Sequence, residues 1–150
     1  MEITAFDIAQ RFAGTKEIAG SLDNPQLMAM LTLDNNWPQD DEVPWCSAFV
    51  NYVCWLLRLP RSKSLRARSW LEVGQALDLK YGHASFDVVI LQRGLGEQPG
   101  PEDTTAPGHV GFYAGQTDTL IELLGGNQHD QVKISRYHKE RILGVRRLVK

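Results

Sequence analysis

Apolar positions open the chain at helical spacing. Ala5, Ile8, Ala9 and Phe12 form one stripe, with Thr4 placed to cap the helix and Gly14 to end it. Asn24-Pro25 reads as a second start, a capping side chain followed by proline at the first helical position. Leu27, Met28 and Leu31 give that helix its apolar face. Residues 34–44 (DNNWPQDDEVP) are a loop by their Asn, Asp and Pro content. Then comes the most apolar run, WCSAFVNYVCWLLRL, with Phe49, Val50, Val53, Leu56 and Leu57 at helical spacing. It is apolar on most sides, which places it inside the protein, and Pro60 is the expected stop. A shorter helix is expected over 66–75, with Ala67, Trp70 and Leu71 inward.

Past Gly82 the period shortens to that of strands. The candidates are 87–92 (DVVILQ), 109–114 (HVGFYA), 119–124 (TLIELL), 131–135 (QVKIS) and 142–148. A Gly/Pro-rich loop, RGLGEQPGPEDTTAPG, joins the first two. Helices first and sequential strands afterwards imply an α+β fold with N-terminal helices packed on an antiparallel sheet. The 150 residues suit one domain, helical over about 1–80 and sheet over about 85–150.

Composition narrows the partners. The net charge of −2 does not favour coating nucleic acid or an anionic membrane. The start, MEITAFDIAQRFAG, lacks the basic and then apolar pattern of a signal peptide, and no apolar run reaches the roughly 20 residues that span a bilayer. The expectation is a monomer made in the cytoplasm, without stable membrane insertion. A basic stretch, Arg58, Arg61, Lys63, Arg66 and Arg68, reads either as a solvated linker or as a contact to an anionic envelope; Arg146, Arg147 and Lys150 carry the same ambiguity.

Two cysteines remain, Cys46 and Cys54. Eight residues apart on one helix means a rise of about 12 Å, too far for a disulfide. Cys46 opens the buried helix, where unsatisfied N–H groups and the macrodipole favour an anion. A thiol there has a lowered pKa, and a drop of two units corresponds to about 2.7 kcal/mol. The same N–H groups suit an oxyanion. A small buried hydrophobe fits the position too. Cys54, mid-helix beside Val50, Val53 and Leu57, reads as core.

Of four histidines, His109 begins a strand after Pro107-Gly108. It shares a face with Gly111 and Tyr113, while Val110 and Phe112 face the core, and Gly111 leaves room beside the ring for a substrate. His83, His129 and His138 read as solvated. Asn127, in Gly125-Gly126-Asn127-Gln128, reads as turn chemistry, or as an amide that fixes a histidine tautomer.

Together, PWCSAFVNYV, GHVGFYAG and LGGNQ, in that order, resemble the NlpC-like and CHAP (cysteine, histidine-dependent amidohydrolase/peptidase) hydrolases, closest to a small bacterial and phage branch with WCxAFV and LGGNQ signatures. The likeness covers roughly Trp37 to the C-terminus. It implies a papain-like fold with Cys46 as nucleophile, His109 as base and Asn127 as the third, orienting residue, with Gln128 as the fallback and Glu122 ranked below. It implies a peptidoglycan hydrolase, endopeptidase or N-acetylmuramoyl-L-alanine amidase, needing no cofactor or metal and acting on periplasmic or cell-wall peptidoglycan after release or delivery. Trp45 and Tyr113 are candidate walls of the substrate groove. Glu42, in the acidic run Asp40-Asp41-Glu42, is a candidate contact to a substrate amine. One departure is Phe86-Asp87, where many relatives carry Gly-Asp. The competing readings are a same-fold toxin or deamidase, a non-catalytic wall-binding or phage structural module, and a zinc hydrolase, for which no close ligand spacing exists.

Overall fold

The computed structural model describes residues 1–16, 25–34, 45–94 and 96–149. Helix α1 (Ala5–Gln10) begins at a capping box: the Thr4 hydroxyl accepts from the Asp7 N–H and the Asp7 carboxylate accepts from the Thr4 N–H. Helix α2 (Pro25–Thr32) buries Leu27, Met30 and Leu31. Met30 replaces the expected Met28 because Leu27, Met30 and Leu31 fall on one side of so short a helix. Asn24 lies outside the described residues.

Helix α3 (Cys46–Leu56) is buried along most of its length, as its all-round apolarity predicts. It stops four residues before Pro60. Arg58 takes a left-handed conformation (φ 57°), and the N–H groups of Arg58 and Leu59 turn back to the carbonyls of Trp55 and Cys54. Leu56 is therefore exposed, against expectation. Two polar residues of α3 are buried and satisfied. Ser47 donates to the Ser64 carbonyl (2.6 Å) and accepts from the Trp70 indole (2.9 Å). Asn51 bonds the Ser64 carbonyl and the Lys63 N–H. These bonds tie the start of α3 to the loop that follows it and to the 3₁₀ turn Ala67–Glu72, which stands where a longer helix was expected.

The strands are β1 (Gln75–Ala76), β2 (Asp87–Gln92), β3 (Gly108–Gln116), β4 (Leu120–Gln128), β5 (Gln131–His138) and β6 (Ile142–Arg147). They form one antiparallel sheet in the order β1-β6-β2-β3-β4-β5. Alternation splits them between two cores. Val88, Ile90, Val110, Phe112, Leu124 and Val132 face the helices. Val89, Leu91, Tyr113, Ile121, Leu123 and Val145 face the other way, under Leu77, Leu79 and Tyr137. Phe12, Phe49 and Phe112 stack edge-to-face through the helical layer.

The expected turn Gly125-Gly126-Asn127 is instead the end of β4. The turn is His129-Asp130, both residues at positive φ (53° and 61°), flanked by the Gln128–Gln131 pair, as a two-residue hairpin requires. Between Gly125 and Gln128 the register slips by one residue on β4, a bulge.

The basic stretch is not a continuous patch. Arg61 forms a two-pronged pair with Asp34 (3.1 Å for each bond). Arg68 is wholly buried; its Nε donates to the Pro107 carbonyl and its Nη1 to those of Pro99, Gly100 and Asp103. It thus holds the long loop before β3. Arg147 is bidentate on buried Asp87, and Arg146 donates to the Leu71 carbonyl.

Gly126 lies under Trp45 and Phe49, where an added Cβ would come within 2.6 Å of the indole and 2.9 Å of the Phe49 Cβ. Gly126→Ala should therefore destabilise the fold by about 1–3 kcal/mol through overpacking, read as a lower denaturation midpoint at unchanged slope.

Candidate active site

Cys46 is the first residue of α3, and its thiol meets the start of β3. The side chain of His109 and the backbone of Val110 are the nearby groups that favour its charged form most. Its environment sets opposing effects against each other. Burial pushes the thiol up; the His109 charge, the bond from His109, the Val110 N–H and the charge of Arg93 push it down and prevail, so Cys46 sits below the ordinary thiol value. Cys54 shows burial alone: eight residues on, its thiol is pushed up to about 12, only slightly relieved by Arg61. The two cysteines are both free and buried. Cys46 nevertheless forms part of the wall of an open pocket of about 250 Å³, with Leu65, Arg66, Ala67, Ala106 and Pro107 among its neighbours.

The imidazole is fixed from its far side. His109 Nε2 lies 2.8 Å from Gln128 Oε1. The amide orientation of Gln128 follows from its other end, where Nε2 donates to the Leu123 and Lys133 carbonyls. Oε1 must then be the atom at the histidine. A carbonyl oxygen only accepts, so His109 Nε2 carries the proton and Nδ1 is the nitrogen left to face the thiol. Tyr137, on β5, donates to the same Oε1 (2.8 Å), lies 3.3 Å from His109 Nε2 and tilts its ring against the imidazole at 5.3 Å. Burial and the nearby Cys46 charge push the Tyr137 hydroxyl up to about 12, so it remains a proton donor.

The orienting contact expected of Asn127 is made by Gln128. The bulge in β4 is the cause: one extra residue reverses the side-chain phase and brings Gln128 to the face that carries His109. Asn127 is left in the left-handed region (φ 57°), half-buried at the rim of a second pocket of about 250 Å³ that also exposes His109, Gln128 and Tyr137. Glu122 faces Arg136 (3.7 Å) and not the histidine. The space above Gly111 is not open to a substrate: Gly111 abuts Gly125 and Leu123, and the Gln128 amide folds over Gly125.

Trp45 and Tyr113 are not groove walls. Trp45 has no exposed surface and packs under Gly126. Tyr113 sits in the sheet's second core beneath Gly82 and accepts from the Gln116 amide (2.9 Å). Glu42 and its acidic neighbours lie outside the described residues. His83, His129 and His138 are exposed, as expected, although His129 borders the second pocket. Sequence reasoning missed Tyr137 and Arg93. Tyr137 carries the signal of an aromatic in an alternating strand, which reads as packing; Arg93 opens a Gly/Pro-rich loop.

Among the described residues no three His, Cys, Asp or Glu side chains converge as metal ligands would. No family model matches the chain, and no curated protein does. Among solved structures the chain is similar to NlpC1 from Trichomonas vaginalis, with a TM-score of 0.59 and 16% identity over 97% of this chain and 44% of that one. The fold is thus α+β, papain-like and NlpC-like, and this chain spans less than half the length of that neighbour.

Gln128→Ala should slow iodoacetamide labelling of Cys46 several-fold at pH 6, because the ring loses its restraint and the thiol drifts back toward its ordinary range. Asn127→Gly keeps the left-handed backbone and should leave the rate within about twofold. At pH 7 the wild-type protein should label at Cys46 and spare Cys54; peptide mapping of the alkylated protein reads both outcomes.

Proposed function

We propose that the chain is a cysteine peptidase or amidase that cuts an amide bond of bacterial cell-wall peptide. One observation carries this reading: a thiol at the start of a buried helix has its pKa lowered by an imidazole whose tautomer is fixed by a third polar group, at the meeting of two open pockets. The NlpC-like fold and the WCxAFV and LGGNQ motifs add the substrate class, a peptidoglycan stem peptide, and favour the NlpC and CHAP branch.

In the proposed reaction His109 Nδ1 takes the Cys46 proton, or the two stand as a thiolate–imidazolium pair. The thiolate attacks the scissile carbonyl. Backbone N–H groups at the start of α3, that of Cys46 among them, hold the oxyanion. His109 then gives its proton to the leaving amine, and water, activated by the same ring, hydrolyses the thioester. Gln128 is the orienting third residue, and Tyr137 steadies its oxygen. The protein would act on periplasmic or cell-wall peptidoglycan after release or delivery, as a monomer and without a cofactor.

Cys46→Ala should abolish release of soluble fragments from purified sacculi while its circular dichroism and unfolding midpoint stay near wild type, with mass spectrometry of the fragments identifying the bond. A wild-type thiol that labels rapidly but releases no fragments would move the same chemistry to another substrate, as in a toxin or deamidase. Fragment release by the Cys46→Ala protein would overturn the mechanism. Tyr137→Phe should lower kcat about tenfold or less with the pH profile retained, since Gln128 still holds the ring.

A further inference from the structure

The two pockets differ in chemistry. The one beside Cys46 is partly apolar, with Leu65, Ala67, Ala106 and Pro107 in its wall. The one beside His109 carries Arg93, Arg136 and Arg141, and no acidic side chain lines it among the described residues. Arg93 belongs to both pockets and so stands at their junction.

The three guanidinium groups are differently placed to bind. Arg93 is exposed and makes no ion pair with a carboxylate among the described residues. Arg141 donates one N–H from Nη2 to the Gln92 carbonyl (2.8 Å) and lies over the Tyr137 ring at 5.7 Å. That anchors the side chain and leaves most of its five donors for another partner. Arg136 meets Glu122 only at 3.7 Å, with two-thirds of its side chain exposed, a contact that solvent screens. Three such cations around one concavity, with the imidazole at its edge, are arranged for a planar anion, and the guanidinium fork matches a carboxylate.

Which half of a substrate this pocket receives follows from the proton's route. The ring that protonates the departing nitrogen must lie beside it, so the amine half occupies the His109 side and the acyl half the Cys46 side. We propose that Arg93, Arg141 and Arg136 form a carboxylate-binding site that selects substrates whose leaving amine half carries a free carboxylate close to the scissile nitrogen. This rests on the thiol-hydrolase reading above, since it is the reaction that gives the two pockets their direction.

Two measurements on the full chain test it, and the first does not need the natural substrate. Iodoacetate and iodoacetamide form the same thioether carbon–sulfur bond with loss of iodide, and differ in charge. The ratio of their rates at Cys46, set against the same ratio for free 2-mercaptoethanol, cancels the thiolate fraction. It should be raised about tenfold, the scale of one charge-assisted hydrogen bond, and should fall toward the free-thiol ratio in Arg93→Gln and in 0.5 M salt. The second compares paired stem-peptide substrates ending in a carboxylate or a carboxamide on the amine side. The carboxylate form should have the lower KM by about tenfold, a gap that Arg93→Gln closes; the carboxamide form reports separately any loss of turnover from removing the Arg93 charge beside the thiol. Labelling of Cys46 with the free-thiol ratio, or equal KM values for the pair, would overturn the carboxylate site and leave the hydrolase reading standing. Failure of both reagents to label Cys46 at neutral pH would remove the hydrolase reading, and the carboxylate site with it.

Discussion

The amide of Gln128 is saturated at both ends. Its nitrogen donates to two backbone carbonyls, and its oxygen accepts from Tyr137 and from the His109 ring. Because the nitrogen is held by the backbone, the amide cannot flip. The orientation of one side chain therefore fixes the tautomer of another, and through it the nitrogen that faces Cys46. A bulge at the end of β4 makes this possible, since without the extra residue Gln128 would point to the helical side of the sheet. The chemistry of the thiol thus depends on a local irregularity in strand pairing as well as on the groups that surround the sulfur.

Cys46 and Cys54 are a natural comparison within one helix. Both are buried, yet their thiols are displaced in opposite directions. Desolvation acts on each. Each has a guanidinium in range, but only Cys46 adds an imidazole and a backbone N–H, and together with Arg93 these exceed the burial penalty. A sulfur with almost no exposed surface still borders an open pocket, and Arg93, one of the groups that stabilise its charge, lines that pocket too.

The framework that holds this arrangement uses polar side chains in buried places. Ser47, Asn51 and Trp70 lock the beginning of α3 to the loop behind it, and Arg68 gathers four carbonyls of the loop that delivers His109. Gly108 is closely packed on Arg68, leaving no space for a side chain just before the histidine. The donors of Arg68, Ser47 and Asn51 give irregular backbone carbonyls partners that helix or sheet pairing does not supply.

The α+β order, the five main strands, the cap at Thr4 and the burial of α3 were legible in the sequence, because period and capping chemistry are local properties. So was the encounter of Cys46 with His109, through the motifs that flank each. Four things were decided only in three dimensions. The choice of Gln128 over Asn127 required the register of β4 on β5. Trp45 and Tyr113 became core because opposite faces of the sheet close over them. Arg68 turned from a member of a basic run into a buried clamp once the loop folded around it. The arginines of the His109 pocket come from separate segments, at Arg93, Arg136 and Arg141, and only the sheet brings them together. Periodicity reports which side of an element a residue occupies; what stands opposite depends on strand register and loop closure, which are properties of the whole packed chain.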